Sequence, residues 1–417
     1  MRNISTLIMV FAFVSAAIAV EPAAPENGNQ GKCWEFAIPC QYDGASDFTE
    51  GLAPVKQNHK WGFIDKTGKI VIPCHFDGAN EFSEGLAAVE EDNGKCGFID
   101  RTGKIVIPCQ FEKALYFYYF IDGLAPVKQN DRYGFIDRTG KIAIPCQFTA
   151  IKHFNEGIAA VRQQNGNYDF IDKTGKIVTS SQFNQVGFFN EGLAAVRQQN
   201  DKYGFIDKTG KIIIPCQFGE AYFGFSEDLA KVTQNGKCGF IDKTGKIVIP
   251  CQFDYYGTSN FHEGLARVGQ NGKYGFIDKT GKIVIPCQFG SATDFSEGLV
   301  YVWQNNKRGF IDTVKSLFMK NGKQDDKCAF IDKTGKTIIP CQLDWEVFGF
   351  HEGLAQVRQN GKYGFIDKTG KFVIPCQFEE AALIFHDGWA KVKQNGKWGF
   401  IKYSGQKAMP ESTTIKY

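Results

Sequence analysis

Asp-Lys-Thr-Gly-Lys opens at Asp65, Asp172, Asp207, Asp242, Asp278, Asp332 and Asp367, and Arg takes its second place at Asp100 and Asp137. Two chemistries fit this pentapeptide. Its backbone N–H groups and paired Lys side chains can cradle a phosphate or sulfate. Alternatively, Asp starts a tight turn and Gly completes it in the left-handed region. The pentapeptide has neither the longer glycine loop nor the following helix of a phosphate-binding loop, which favours the turn.

Cysteine is the next reactive type, with thirteen in the chain. Nine follow a proline: Cys40, Cys74, Cys109, Cys146, Cys216, Cys251, Cys287, Cys341 and Cys376. Cys96, Cys238 and Cys328 each stand thirteen residues before one of these. Folding the chain about the intervening Asp-x-x-Gly turn brings the two positions near each other. The disulfides Cys96–Cys109, Cys238–Cys251 and Cys328–Cys341 are therefore candidates in an exported protein, and Cys33–Cys40 is a fourth. The competing reading is a small buried slot that Cys fills in every unit. The odd total leaves at least one thiol unpaired.

Histidine is sparse. His262, His351 and His386 occupy a slot held elsewhere by Ser83, Asn155, Asn190, Ser226 and Ser296. A slot that accepts Ser, Asn and His reads as a turn or cap. No His-x-x-x-His or Cys-x-x-Cys spacing supports a metal site. No Ser/His/Asp partnership is evident either, so neither a catalytic centre nor a cofactor is expected.

Charge follows the same repetition. Lys69, Lys104, Lys141, Lys176, Lys211, Lys246, Lys282, Lys336 and Lys371 are equivalent. So are Glu50, Glu84, Glu156, Glu191, Glu227, Glu263, Glu297 and Glu352, with Asp122 and Asp387 as variants. Such rows either match a periodic polymer or keep exposed turns soluble. The formal net charge of +3 and the acidic row speak against nucleic acid or an anionic membrane as partner.

The elements that carry these residues are set by the repeat itself. Phe-Ile-Asp or its variant recurs at Phe63, Phe98, Phe135, Phe170, Phe205, Phe240, Phe276, Phe310, Phe330, Phe365 and Phe400, about every 35 residues. That period indicates a solenoid, propeller or array of about eleven units, one of them truncated. In one unit, Leu265 to Gln270 reads as a strand and Asn271-Gly272 as a two-residue hairpin turn with φ > 0. Lys273 to Asp278 is a second strand, and Lys282 to Pro286 is a third, closed by a proline that cannot donate. A polar loop pinned by Phe289 and Phe295 leads onward. The expectation is an all-β array of three-stranded meanders that must stack to bury their apolar faces. An open β-solenoid or superhelix is favoured because propellers usually have four to eight blades; one or two β-propellers are the alternative.

Lys60-Trp61-Gly62-Phe63-Ile64-Asp65 and Lys397-Trp398-Gly399-Phe400-Ile401 resemble the WG (KWG) repeat family of bacterial β-rich proteins, over roughly Cys33 to Ser404. Other units replace the Trp with Tyr133, Tyr168, Tyr203, Tyr274 or Tyr363, or with Cys, so the slot wants an apolar body. The resemblance implies a β-repeat scaffold, often exported, with no shared catalytic centre to carry over.

Residues 1–19 have the charged, apolar and small-x-small parts of a secretory signal ending at Ala17-Ile18-Ala19. A polar linker at 20–32 precedes the array at 33–405, which is irregular at 313–329, and a tail follows at 406–417. Asp169 replaces the strand glycine, and Thr179-Ser180-Ser181 replaces Ile-Pro-Cys in the same unit.

The functional expectation is a non-catalytic, exported, monomeric scaffold that binds a protein or a surface polymer. The segments between the Phe anchors vary most: Asp77 to Glu81, Glu112 to Tyr119, Glu220 to Gly224, Asp254 to Asn260, Asp344 to Gly349 and Glu379 to Ile384. Recognition loops on a rigid frame vary in this way, and so does a neutral exposed loop. Glycan or cell-wall binding through Tyr116, Tyr118, Tyr119, Tyr222, Tyr255 and Tyr256 is the second reading, and a structural spacer is the third.

Overall fold

The computed structural model describes residues 33–112, 119–221, 223–304, 328–340, 346–347 and 349–405. The first complete unit shows the plan. Leu52–Gln57, Lys60–Asp65 and Ile70–Phe76 form the meander, and the short strand Gly44–Ala45 lies on its first edge. The loop between the Phe anchors thus adds a fourth, short strand to the three expected.

Local chemistry fixes each corner. Asn58 and His59, like Asn271 and Gly272, have positive φ, as a two-residue hairpin turn requires. At the second turn Asp65 Oδ1 accepts from Thr67 N at 2.8 Å, Thr67 Oγ1 at 2.6 Å and Lys69 N at 3.1 Å. Gly68 closes that turn at φ +84°. Gly62 is glycine for a different reason. The outer strand bulges over it at Pro73-Cys74, and a Cβ there would lie 2.5 Å from Ile72 O and 2.7 Å from Cys74 N.

Each core is shared between neighbours. Phe63, Ile72 and Phe76 of one unit pack with Phe82, Val89 and Ile99 of the next. The same pattern carries round the chain. Burying such a Phe stabilises by roughly 1.5–3 kcal/mol, so each unit depends on the next for much of its stability.

Eight sheets carry ten units among the described residues, because two sheets each run through two consecutive units. Leu299–Trp303 pairs with Cys328–Asp332, so Phe330 takes the second-strand place. Phe310 lies in the intervening segment, outside the described residues, so the ten units seen are those of the described residues alone.

The all-β array of meanders is the architecture seen, and its course is the one first given as the alternative. Trp34–Tyr42 pairs antiparallel with Lys397–Tyr403, with Trp34 opposite Tyr403 and Ile38 opposite Phe400. A Cβ on Gly399 would lie 2.6 Å from Ile38 O and Cys40 N, just as one on Gly62 would meet Ile72 O and Cys74 N of its own unit. Ile38, Phe48 and Ile64 also share a core with Trp389 and Phe400. The first strand is therefore the outer strand of the last unit, and the array closes into a ring. The physical reason is that an open array would leave two terminal faces uncovered, whereas the joined ends leave none.

Candidate functional site

The turn pentapeptide uses its polar groups on itself. The Asp-Thr-Gly pattern of hydrogen bonds recurs at Asp100, Asp137, Asp172, Asp207, Asp242, Asp278, Asp332 and Asp367. The Thr hydroxyl, foremost, holds carboxyls such as Asp65 and Asp278 below the usual range. The N–H groups that would cradle an anion are thus already occupied by the Asp.

The acidic row has a role that the sequence did not reveal. Glu227 Oε2 accepts from Gly264 N of the next unit at 3.0 Å, and Lys279 of that unit lies 3.2 Å away. Glu156 meets Gly192 N and Lys208 alike, and Glu191 meets Asp228 N and Lys243. Each Glu sits in the left-handed region, with φ near 50°, where a non-glycine residue is strained. Glu156 titrates below the usual range: burial pushes it up, but Lys208 and the Gly192 N–H outweigh that. The row staples units together instead of facing a partner. The row of Lys69, Lys104 and their equivalents is exposed and forms no ion pair among the described residues.

The cysteines are held by the frame. Cys74, Cys251 and Cys287 donate through Sγ to Val55 O, Val232 O and Val268 O at 3.7–3.9 Å. Cys238 and Cys251 are both free thiols. In the ladder Cys96 stands opposite Phe111, and Cys238 opposite Phe253, not opposite the Pro-Cys residues. Cys74 makes its bond to Val55 O in a unit where Trp61 takes the place of Cys96, so that bond does not need a second cysteine. Cys341 lies outside the described residues. Burial pushes the Cys109 thiol up to about 12, and the Cys238 thiol up to about 11.

The slot residues join units as well. Ser83 and Ser226 donate to Phe120 O and Phe261 O of the next unit at 2.8 Å, and Asn155 Nδ2 donates to Phe189 O at 2.8 Å. His351 and His386 lie edge to face with centroids 6.1 Å apart. No group of three His, Cys, Asp or Glu converges among the described residues.

These contacts identify the inner edge of the ring. The segments that carry the first strands are hydrogen-bonded from unit to unit through Ser83, Asn155 and Ser226, whereas outer strands share no such bond among the described residues. Sheets in a closed ring converge at one edge only, so the short first strands and their variable segments line the inside. The outer strands expose Ile70, Ile105, Ile177 and Ile283.

Along the inner edge, the residue before each buried Phe anchor must point away from the core. That position holds Asp47, Glu81 and Asp294 in some units and Tyr119, His153 and Phe188 in three consecutive ones. His153 stacks on Phe188 at 4.8 Å, with Tyr119 6.1 Å further along and Lys152 Nζ 4.9 Å from the Phe188 centroid.

In the next two units the loops depart from the frame. Tyr255–Gly257 forms a short 3₁₀ turn, the one helical element among the described residues. It lies directly on the following strand where Gly257 meets Gly269, a position occupied by Lys56, Lys128 or Arg197 elsewhere. A Cβ on Gly257 would come 2.5 Å from the Gly269 Cα. Thr258 Oγ1 donates to Asp254 O at 2.9 Å and holds the turn. Tyr256 is thereby 91% exposed and Phe223, in the neighbouring loop, 61% exposed. Lys231 lies between them, with Nζ 5.2 Å from the Phe223 centroid, 5.6 Å from that of Tyr255, and donating to Thr258 O at 2.9 Å. Burial, above all, lowers its pKa.

Of the six tyrosines singled out, Tyr119, Tyr255 and Tyr256 are on this inner edge. Tyr116, Tyr118 and Tyr222 lie outside the described residues. Phe188, Lys231 and Gly269 were missed, and Phe223 was covered only as part of the Glu220 to Gly224 segment. The signal available was the third residue of the Leu-Ala-x-Val strand, which is Pro54, Ala88, Pro126, Ala160 and Ala195 in five units and Lys231, Arg267, Tyr301, Gln356 and Lys391 in the rest.

No helix among the described residues is long and apolar enough to cross a membrane. Among solved structures the chain is similar to the computationally designed Ika8 protein, at 12% identity and a TM-score of 0.37, over 78% of this chain and 95% of that one. It is similar to BamB from Moraxella catarrhalis at 12% identity and a TM-score of 0.35, over 64% and 95%. It is similar to PorZ, a surface component of the type-IX secretion system of Porphyromonas gingivalis, at 10% identity and a TM-score of 0.27, over 86% and 57%. These likenesses carry no functional weight. No curated protein matches the chain. The WG containing repeat matches ten consecutive segments: 35–61, 61–96, 97–133, 133–168, 170–203, 203–238, 239–274, 274–307, 329–363 and 363–398. With its β-meander units, shared cores and glycine under the outer-strand bulge, the chain belongs to the WG containing repeat family.

Proposed function

We propose that this protein is a non-catalytic, exported binding scaffold whose ligand surface is the inner edge of the ring. One observation carries the reading. The Lys and Glu side chains of the repeated turns staple units together, while the segments that vary between units line one edge and expose aromatic rings there. Rigid frames that display variable loops are common recognition devices. Export rests on the N-terminal signal pattern.

The test compares two sets of substitutions for binding to a cell-envelope extract and its fractions. Tyr255→Ala with Tyr256→Ala alters the inner edge, and Ile70→Ser with Ile105→Ser alters the outer strands. Loss of binding with the first pair alone is expected. Loss with the outer pair alone would move the ligand surface to the rim.

A further inference from the structure

The hairpin turns that join the two long inner strands of a unit carry a chemistry of their own. Four of them are Asn-Gly: Asn235-Gly236, Asn271-Gly272, Asn360-Gly361 and Asn395-Gly396. Each Asn has φ of 51–53° and each Gly φ of 70–77°, and all eight residues are exposed to water. Glycine leaves the next backbone nitrogen unhindered, so that nitrogen can attack the Asn side-chain amide whenever the turn opens locally.

The frame treats these like turns differently. Glu379, the residue after the outer strand of the preceding unit, accepts from Asn395 N at 3.1 Å and from Gly396 N at 2.9 Å. Asp254 holds the same place before Asn271-Gly272 and accepts from Gly272 N at 3.4 Å. Before Asn235-Gly236 that place is held by Gly219, which offers no carboxylate and donates its own N–H to Thr233 O at 2.9 Å. Gly236 N has no acceptor among the described residues. The equivalent acid for Asn360-Gly361 is Asp344, outside the described residues. A carboxylate that accepts from the turn pins it closed. It also opposes loss of a proton from the glycine nitrogen, because a second negative charge would develop beside it. The turn at Asn235 has neither restraint.

We infer that Asn235 is a site of spontaneous deamidation in the folded ring, ahead of Asn271 and Asn395. Gly236 N bonds to Asn235 Cγ, the Cγ–Nδ2 bond breaks, and ammonia leaves with the proton that Gly236 gives up. One water then opens the cyclic imide. Cleavage of the new bond gives aspartate, and cleavage of the original backbone bond gives isoaspartate. Either product puts a negative charge where the turn had none. Isoaspartate also adds a methylene to the backbone between Leu229–Gln234 and Lys237–Ile241, the hairpin whose Lys231 donates to Thr258 O of the next unit.

Incubation of the full chain at mildly alkaline pH tests this, with peptide mapping by mass spectrometry to follow each Asn-Gly site separately. Carboxyl methylation by an isoaspartyl methyltransferase is the independent readout. Asn235 should convert about tenfold faster than Asn395, the factor expected of a hydrogen bond to a carboxylate. Glu379→Ala should raise the rate at Asn395 to near that at Asn235 and leave Asn271 unchanged, whereas a variant that merely unfolds would speed Asn271 as well. Glu379→Gln, which keeps an acceptor, should raise Asn395 less. Gly236→His, which reproduces the Asn58-His59 turn, should slow Asn235 alone. Equal rates at Asn235 and Asn395 in the parent would overturn the inference. So would a slower Asn395 in Glu379→Ala, which would make the carboxylate a base that promotes the attack.

Discussion

At the residue scale, Glu227 shows how a turn residue becomes an interface residue. Its left-handed backbone costs energy, and its carboxylate recovers it through Gly264 N and Lys279 of the next unit. Glu227→Ala should lower stability by about 1–2 kcal/mol, the cost of losing a charge-assisted hydrogen bond. Glu227→Gly should cost less, because glycine relieves the strain. Chemical denaturation of the two variants checks the order. The carboxyls also set the acid limit. Asp65, Asp278 and Glu156 titrate below their ordinary values in the fold. A depressed pKa contributes stability that is present above the unfolded value and lost as pH falls through the folded one. The melting temperature should hold from pH 7 to about 5 and fall steeply from about 4 downward. A fall that began near pH 6 would point to histidine instead. The thiols give a third measurement. With Cys238 and Cys109 held protonated by burial, a thiol reagent at pH 7 should react with them only after unfolding. Intact mass should be the same with and without reductant, and a gain on reduction would establish bridges.

At the scale of the unit, the hairpin between the aromatic strand and the Pro-Cys strand depends on one glycine. Gly62→Ala would drive a Cβ into the backbone of Ile72 and Cys74, and overpacking of this kind costs about 1–3 kcal/mol or more. Asp169 occupies that place in one unit, where Thr179-Ser180-Ser181 replaces Ile-Pro-Cys and Thr179 Oγ1 accepts from Phe170 N. Both departures were legible in the sequence, but not the bond from Phe170 N to Thr179, because it joins residues on different strands. The strands, the Asn-Gly turn and the left-handed Gly281 were also legible, since each is set by local backbone preference. The short first strand was not. Its two ladder residues carry no alternation long enough to see, and its pairing partner is the strand that follows in its own unit. The rings on the inner-edge loops were half legible. Tyr255 and Tyr256 stand out by type, whereas Phe223 resembles any other phenylalanine in a chain with 38 of them.

At the scale of the molecule, the seam between the first and last strands is the decisive contact. It adds the Lys397–Asp43 ion pair and the Lys391–Asp47 pair at 3.5 Å to a ladder and a shared core. Removing residues 33–42 should expose the edge of Lys397–Tyr403 and the core around Phe400. A lower melting temperature and a larger hydrodynamic radius are expected by calorimetry and small-angle scattering. An unchanged radius would contradict a closed ring. Ser404 N already donates to Cys33 O at 3.0 Å. A circular permutant that links these ends and opens the chain at Asn395-Gly396 should therefore fold with the parent's spectrum.

The amino-acid sequence by itself determined the period, the meander, the turn chemistry and the family, because each follows from a few residues acting on nearby backbone. It also held the two halves of one unit at opposite ends: an outer strand at Trp34–Tyr42 and its partners at Trp389–Gln394 and Lys397–Tyr403. Only the tertiary structure decided that the halves meet. Closure depends on the small rotation between neighbouring units summed over ten of them, and no single repeat encodes that sum. The same closure gives the chain an inside and an outside, placing the variable loops together on one edge and the hairpin built on the Asp-Lys-Thr-Gly-Lys turn beyond them.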